Sequence, residues 1–331
     1  MDITTLKTTV SAQLSPTKGI LAADESSGTI SKRFEKLGLT STPELNLAYR
    51  KMLFTTPGVA EFLSGIILFD ETIRQEIDGK SVPEYLESKG ILPGIKVDKG
   101  AIDLANFPDE KITEGLDGLA KRFEEYAGMG AKFAKWRAVI KIGEGIPTQT
   151  CLSANAEVLA RYASIAQNAG IVPIIEPEVI REGEHSLEKC AEVTAKILKA
   201  VFERIAAHKV SLEGLILKTN MATAGEGNPN QPSSEDVAAA TVDMLLSSVP
   251  KELPGIVFLS GGQSPDYATE NLAAVAKIGG PLELSFSFAR ALQDEAMKLW
   301  AGKEENVEAA QKAFAERGKK VSLARQGKLS A

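Results

Sequence analysis

Eight short runs rich in Ile, Val and Leu, helix-patterned segments filling the intervals between them, and the lack of any linker across 331 residues predict one α/β fold. It is a single (β/α)8 TIM barrel with parallel strands, an N-terminal helix and a C-terminal tail. Strand patterns that alternate with helical ones argue for parallel βα units. Continuous rather than alternating apolarity fits strands covered on both faces. The expected domain is the whole of 1–331, with the barrel over about 19–315 and the tail over about 318–331.

The elements follow in order. Ile3, Leu6, Val10 and Leu14 form one helical stripe ahead of the barrel. The eight runs are 19–24, 65–70, 92–98, 130–139, 170–179, 214–221, 255–262 and 282–290, most of them opened by Gly. The interval between the first two has room for two or three helices. Within 155–169, Val158, Leu159, Tyr162, Ile165 and Ala166 share a helical face, and Gly170 stops it. Ser186 caps a helix over 187–207. The segment 225–232, Gly-Glu-Gly-Asn-Pro-Asn-Gln-Pro, reads as an exposed loop. Ser233-x-x-Asp236 forms a capping box for a helix to about 248, with Pro250 beyond it.

Composition excludes several classes. Net charge is −6, so broad nucleic-acid binding lacks its basic field. No apolar run reaches the ~18 residues of a membrane span, and no secretory core opens the chain. Cys151 and Cys190 are too few for a disulfide scaffold and read as reduced thiols. Two histidines, His185 and His208, cannot build a three-histidine zinc site, and both are expected at the surface. Leu259-Ser260-Gly261-Gly262-Gln263 matches an ABC-type ATPase signature, but no phosphate-binding Walker loop accompanies it. No Gly-x-Gly-x-x-Gly follows a strand either, which argues against dinucleotide binding.

In such a barrel the site lies at the C-terminal strand ends. There the sequence places Asp24, Asp70, Lys96 and Asp98, Lys135 and Arg137, Glu176 and Glu178, Lys218, Ser260, and Arg290. Residues two apart share a face, pairing Lys135 with Arg137 and Glu176 with Glu178. A barrel that merely folds has no need of charges in its upper layer, because each costs desolvation unless paired. A lysine among other cations has its amine pKa lowered, and a neutral amine attacks carbonyls to form a Schiff base. Carboxylates shuttle the protons, and cationic, hydroxyl-bearing or glycine-rich strand ends suit phosphates. The composite is a covalent lysine enzyme for a phosphorylated carbonyl compound. Asp70 and Glu71 are expected as salt-bridge partners, Trp136 as core, and the basic stretch 319–328 as a solvated terminus.

From about Lys18 to Lys328 the sequence resembles the class I, Schiff-base fructose-bisphosphate aldolases. The resemblance rests on Gly-Ile-Leu-Ala-Ala-Asp-Glu-Ser (19–26), Gly-Ile-Lys-Val-Asp-Lys-Gly (94–100), Phe-Ala-Lys-Trp-Arg (133–137) and Ile-Val-Pro-Ile-Ile-Glu-Pro-Glu (171–178). It continues in Leu-Glu-Gly-Leu-Ile-Leu-Lys-Thr-Asn-Met (212–221), Phe-Leu-Ser-Gly-Gly-Gln (258–263) and Phe-Ser-Phe-Ala-Arg-Ala-Leu-Gln (286–293). The resemblance implies that Lys218 is the Schiff-base lysine, Glu176 the acid/base for imine formation, and Asp24 the carboxylate at the cleaved bond's hydroxyl. It implies Lys135 as the second active-site lysine and Glu178 as a supporting carboxylate. Ser260, Gly261, Gly262, Ser287 and Arg290 match one phosphate site. Ser26, Thr29 and Lys96, with Arg137, match the other, and Arg33 matches a substrate-contacting arginine. The implied substrate is a sugar bisphosphate, with neither metal nor cofactor; the implied setting is a cytoplasmic (or plastid-stromal) homotetramer without nucleic-acid or membrane partners.

Departures from the family pattern are Thr219 after the lysine, Phe288-Ala289 before Arg290, Asn46-Leu47 before Tyr49-Arg50, and no aromatic residue beyond Phe314. Without a tail tyrosine, a water or Glu176 is expected to protonate the enamine. Rival readings are another Schiff-base enzyme such as a transaldolase, for which one phosphate site would suffice, and a scaffold with a vestigial pocket.

Overall fold

The computed structural model describes residues 2–329. Eight parallel strands close on themselves: β1 (Gly19–Ala23), β2 (Leu63–Leu68), β3 (Leu92–Lys96), β4 (Phe133–Ile140), β5 (Val172–Val179), β6 (Ile216–Thr219), β7 (Gly255–Phe258) and β8 (Glu283–Phe288). Each pairs with its neighbours in sequence, and β8 returns to β1. The expected (β/α)8 barrel is therefore the fold, and every expected run contributes one strand.

Helices alternate with the strands. α1 (Ile3–Gln13) precedes β1. α2 (Ser27–Glu35) and α3 (Pro43–Phe54) fill the long first interval. α4 (Asp70–Ile73), α5 (Val82–Ser88) and α6 (Leu119–Gly128) lie between β2 and β4. α7 (Gln149–Asn168) and α8 (Leu187–Ala207) flank β5. α9 (Ser234–Ser248), α10 (Pro265–Ile278), α11 (Arg290–Trp300) and α12 (Val307–Arg325) complete the wall. Ser186 caps α8 through the Lys189 N–H, and Ser233 with Asp236 forms a capping box on α9. Each such cap is worth about 1 kcal/mol.

The alternation of side chains along each strand divides the core in two. Leu21, Ala23, Ile175 and Leu217 face the helices. Ile20, Ala22, Ile67, Phe133, Val172, Ile174, Ile216 and Val257 fill the barrel, and Leu6 and Val10 of α1, with Leu14 just after it, join them from below. The expected stripe on α1 is thus a stopper. Gly94 and Gly65 permit this packing, because a Cβ at either position would press into the Phe133 ring. One residue pair further up β4, β5 and β6, the same inward row turns polar.

Two short hairpins went unforeseen: Glu76–Ile77 with Lys80–Ser81, and Ala101–Asp103 with Lys111–Thr113. The end of the chain also differs from expectation. α12 runs through Arg325, with Val321 and Ala324 buried, so most of 318–325 is packed wall rather than solvated tail. The Arg325 guanidinium donates to the carbonyls of Leu14 (2.8 Å), Leu284 (3.0 Å), Ser15 and Lys18. Ser322 donates to the Thr17 carbonyl at 2.5 Å. Residues 330–331 of the expected tail lie outside the described residues.

Trp136 is core, as expected, packed 5.5 Å from the Tyr162 ring. Asp70 pairs with Arg74 at 2.9 Å, and Glu71 with Arg50 at 3.3 Å. His208 ends α8 and lies 2.9 Å from Glu157. His185 is half-buried in the loop between β5 and α8, with both ring nitrogens covered. Among the described residues, no helix is long and apolar enough to cross a membrane.

Candidate active site

Above the apolar filling, the inward rows of β4, β5 and β6 continue as Lys135, Glu176 and Lys218. All three side chains are nearly inaccessible to solvent. Lys218 Nζ lies 3.0 Å from Glu176 Oε1, and Lys135 Nζ lies 3.2 Å from Glu176 Oε2. Lys135 also reaches Asp24 Oδ2 at 2.7 Å, just past the end of β1. The four side chains form one line of alternating charge: Lys218, Glu176, Lys135, Asp24.

The electrostatics follow from that order. Burial alone would raise the Asp24 carboxyl, but Lys135 and Lys218 outweigh it and hold it below the ordinary range. Burial opposes ionisation of Glu176 too; Lys135, Lys218 and Arg137 outweigh it, and its carboxyl is likewise lowered. Burial would lower the Lys135 ammonium, but Asp24, Glu176 and Asp98 hold it well above the ordinary lysine range. Lys135 is therefore a fixed cation. The expected lowering of a lysine among cations does not apply to Lys135, where the carboxylates prevail; each of these two buried lysines meets a carboxylate. Lys218 has a single ion-pair partner among the described residues, whereas Lys135 has two.

These groups line a cavity of about 250 Å³ together with Glu178, Arg137, Lys96, Ser26, Thr29, Ser260, Gly261, Ser287 and Arg290. The chain brings thirteen of the fifteen expected site residues to its wall. At one end, Ser260 follows β7 and Ser287 lies near the top of β8. Arg290 opens α11, whose N-terminal N–H groups attract anions. The Ser287 hydroxyl is buried with no protein partner. Gly261 (φ 45°) and Gly262 (φ 82°) take consecutive left-handed conformations suited to glycine, although Gly262 is not on the cavity wall. At the other end stand Ser26, Thr29, Lys96 and Arg137. Arg137 Nε pairs with Glu178 Oε2 at 2.5 Å, and Glu178 pulls the guanidinium further up. A second cavity of about 580 Å³ shares these four residues and continues past them.

Arg33 is the other exception. It is absent from the cavity wall because Glu25, Gln293 (2.8 Å) and Asp294 (3.0 Å) engage its guanidinium. Three residues absent from the expected site support it. Gln293 donates to the Ala22 carbonyl at 2.6 Å, fixing the strand end that carries Asp24. The Asn220 side chain accepts from the Val179 N–H at 3.0 Å, locking the ends of β5 and β6 together. Glu25 lines the cavity beside Asp24. Gln293 and Glu25 sit inside the stretches quoted above, but nothing local announces contacts to residues 271 or 8 positions away.

No three His, Cys, Asp or Glu side chains cluster as a metal site among the described residues. The assembled chemistry is a buried amine beside a carboxylate, with anion-binding groups on both sides.

Comparison with known proteins points the same way. The family model for fructose-bisphosphate aldolase class-I matches residues 5–331. A probable fructose-bisphosphate aldolase class 1 of Xanthomonas campestris is 51% identical over 331 residues, covering 99% of both chains. A cytosolic fructose-bisphosphate aldolase of Arabidopsis thaliana is 49% identical over 315 residues, covering 94% of this chain and 80% of the relative. The solved fructose-bisphosphate aldolase of Plasmodium falciparum superposes with a TM-score of 0.97 at 45% identity, covering 99% and 96%.

Proposed function

The chain belongs to the class-I fructose-bisphosphate aldolase family, and from that membership we propose that it cleaves fructose 1,6-bisphosphate reversibly through a Schiff base on Lys218. The enzyme is a carbon–carbon lyase, and its products in this reading are dihydroxyacetone phosphate and glyceraldehyde 3-phosphate. The single observation that carries the residue assignment is the buried Lys218–Glu176 pair, 3.0 Å apart, between two anion-binding ends of one cavity.

Glu176 takes a proton from the Lys218 ammonium, and the free amine adds to the ketose carbonyl. Glu176 then returns a proton to the carbinolamine oxygen, which leaves as water and yields the iminium. Asp24 accepts the proton of the hydroxyl on the carbon being released. The carbon–carbon bond electrons flow into the iminium nitrogen, leaving an enamine on Lys218 and a free aldehyde. A water or Glu176 protonates the enamine carbon, and hydrolysis frees the lysine. Lys135, held as a cation, stabilises both carboxylates throughout. It is a poor nucleophile because two carboxylates retain its proton.

The two ends of the cavity favour a bisphosphate over the monophosphate of a transaldolase. The cytosolic Arabidopsis relatives support a cytoplasmic setting, in sugar breakdown, sugar synthesis or carbon fixation. The homotetramer is proposed from the family resemblance.

The test is borohydride reduction with fructose 1,6-bisphosphate in excess chelator, followed by peptide mapping. The expected result is inactivation with substrate attached to Lys218. Activity restored only by added Zn²⁺, or a labelled peptide lacking Lys218, overturns the reading.

A further inference from the structure

Asp98 is a charged strand-end residue that the reaction as described leaves without a role. It lies two residues beyond β3, and its side chain is 3% exposed. One carboxylate oxygen meets Lys96 Nζ at 2.6 Å and the Gly100 N–H at 3.1 Å. The other accepts from the Arg137 backbone N–H at 3.2 Å. Lys96 Nζ also donates to the Asp98 carbonyl at 2.8 Å.

The β3–β4 ladder pairs Lys96 with Lys135, and the Val97 N–H still reaches the Lys135 carbonyl at 3.1 Å. Beyond that point the Asp98 side chain replaces the main chain as the bridge between the strands. It thereby joins the Lys96 ammonium to the backbone of Arg137, the two cations at the cavity end away from Ser287 and Arg290. Lysine is a flexible point charge on four methylenes, so an ammonium without a fixed partner samples many positions. Asp24 lines the same cavity and attracts that ammonium too.

We infer that Asp98 is a positioning residue for the phosphate remote from the Schiff base, acting by holding the Lys96 ammonium in place beside Arg137. This rests on the bisphosphate reading above. It separates the two ends of the substrate: Asp98 matters to the far phosphate and has little to do with the ketose carbonyl.

The test compares Asp98→Asn in two backgrounds, the wild type and Lys96→Met, with fructose 1,6-bisphosphate and with fructose 1-phosphate, which lacks the far phosphate. For the bisphosphate, Asp98→Asn should lower kcat/KM about tenfold, mostly through KM, as expected for one displaced charge-assisted contact. In Lys96→Met the same substitution should cost less than about twofold, because a residue that acts through another is non-additive with it. The monophosphate should lose far less than the bisphosphate. Equal losses in both backgrounds, equal losses for both substrates, or a gain in kcat/KM would overturn the assignment. Asp98→Glu covers the case in which Asp98→Asn does not fold. It keeps the charge but moves it by a methylene, and should also raise KM for the bisphosphate; wild-type KM would show that position is irrelevant. A wild-type enzyme that cleaves neither sugar overturns the reading of the function itself, which distinguishes the two failures.

Discussion

Glu176 Oε2 lies 3.2 Å from Lys135 Nζ yet makes no aligned hydrogen bond, while Oε1 faces Lys218 at 3.0 Å. One oxygen is held electrostatically and the other faces the amine of Lys218, the proposed nucleophile. A group placed this way can take and return a proton without being tied down by directional bonds.

Glu176→Gln should therefore bind substrate with KM within a few-fold of normal but lower kcat by about 10²–10⁴-fold, since the amide cannot shuttle protons. Rapid-quench trapping of the imine measures the affected step. Normal turnover would remove Glu176 from the mechanism.

Lys135→Met should shift the pH profile. Burial raises the Asp24 and Glu176 carboxyls, and Lys135 leads the charges that offset it. Without that cation both carboxyls titrate higher, so the acidic limb of kcat/KM moves to higher pH. An unmoved limb, read from initial rates between pH 4 and 9, contradicts this account of the cluster.

Arg290→Ala should raise KM for the bisphosphate by about 10–100-fold, the equivalent of about 1.5–3 kcal/mol for a charged hydrogen bond. Arg290 is exposed and opens a helix, so Tm should barely move. A large fall in Tm with unchanged KM would make the residue structural.

Arg325→Lys should lower Tm by about 5 °C or more, because one ammonium cannot serve the carbonyls of Leu14, Ser15, Lys18 and Leu284 together. Kinetic constants at 25 °C should stay near normal, since Arg325 is absent from the cavity wall. Calorimetry and steady-state assays check both halves.

Asp266 tests the surface electrostatics. Hydrogen bonds from Arg317 (2.8 Å) and Lys320 (2.9 Å) pull its carboxyl down to about 2 from 3.8. A lowered folded-state value adds stability that is complete above pH 3.8 and lost as pH falls towards 2. The side chain is 60% exposed, so screening keeps the contribution below about 1 kcal/mol. Asp266→Asn should cost that little at pH 7, and less in high salt, by chemical denaturation.

The barrel was legible because strands buried on both faces leave uninterrupted apolar runs, and Gly punctuates them. The upper layer was legible from the spacing by two that carries Ile174 to Glu176 and Ile216 to Lys218. What stayed hidden depends on contacts distant in sequence. Arg33 looks free to bind substrate until Asp294 and Gln293, about 260 positions away, are brought against it. The charges of 318–325 suggest a solvated end until α12 packs Val321 and Ala324 inward. The hairpin at Glu76–Ile77 has two residues per strand, too few for any periodicity.

α1 closes the lower face of a barrel whose interior is already filled by side chains. With Leu6, Val10 and Leu14 seated beneath Ile20 and Val257, nothing passes through the base. In the proposed reaction sugar, aldehyde and water therefore enter and leave at the upper face, where the cavity wall carries Lys96, Arg137, Ser26 and Thr29 at one end and exposed Arg290 at the other. If the proposed enamine forms on Lys218, with the closed base offering no second route, aldehyde bound above it shields its carbon from solvent, so added aldehyde should slow deuterium uptake in proportion to its occupancy.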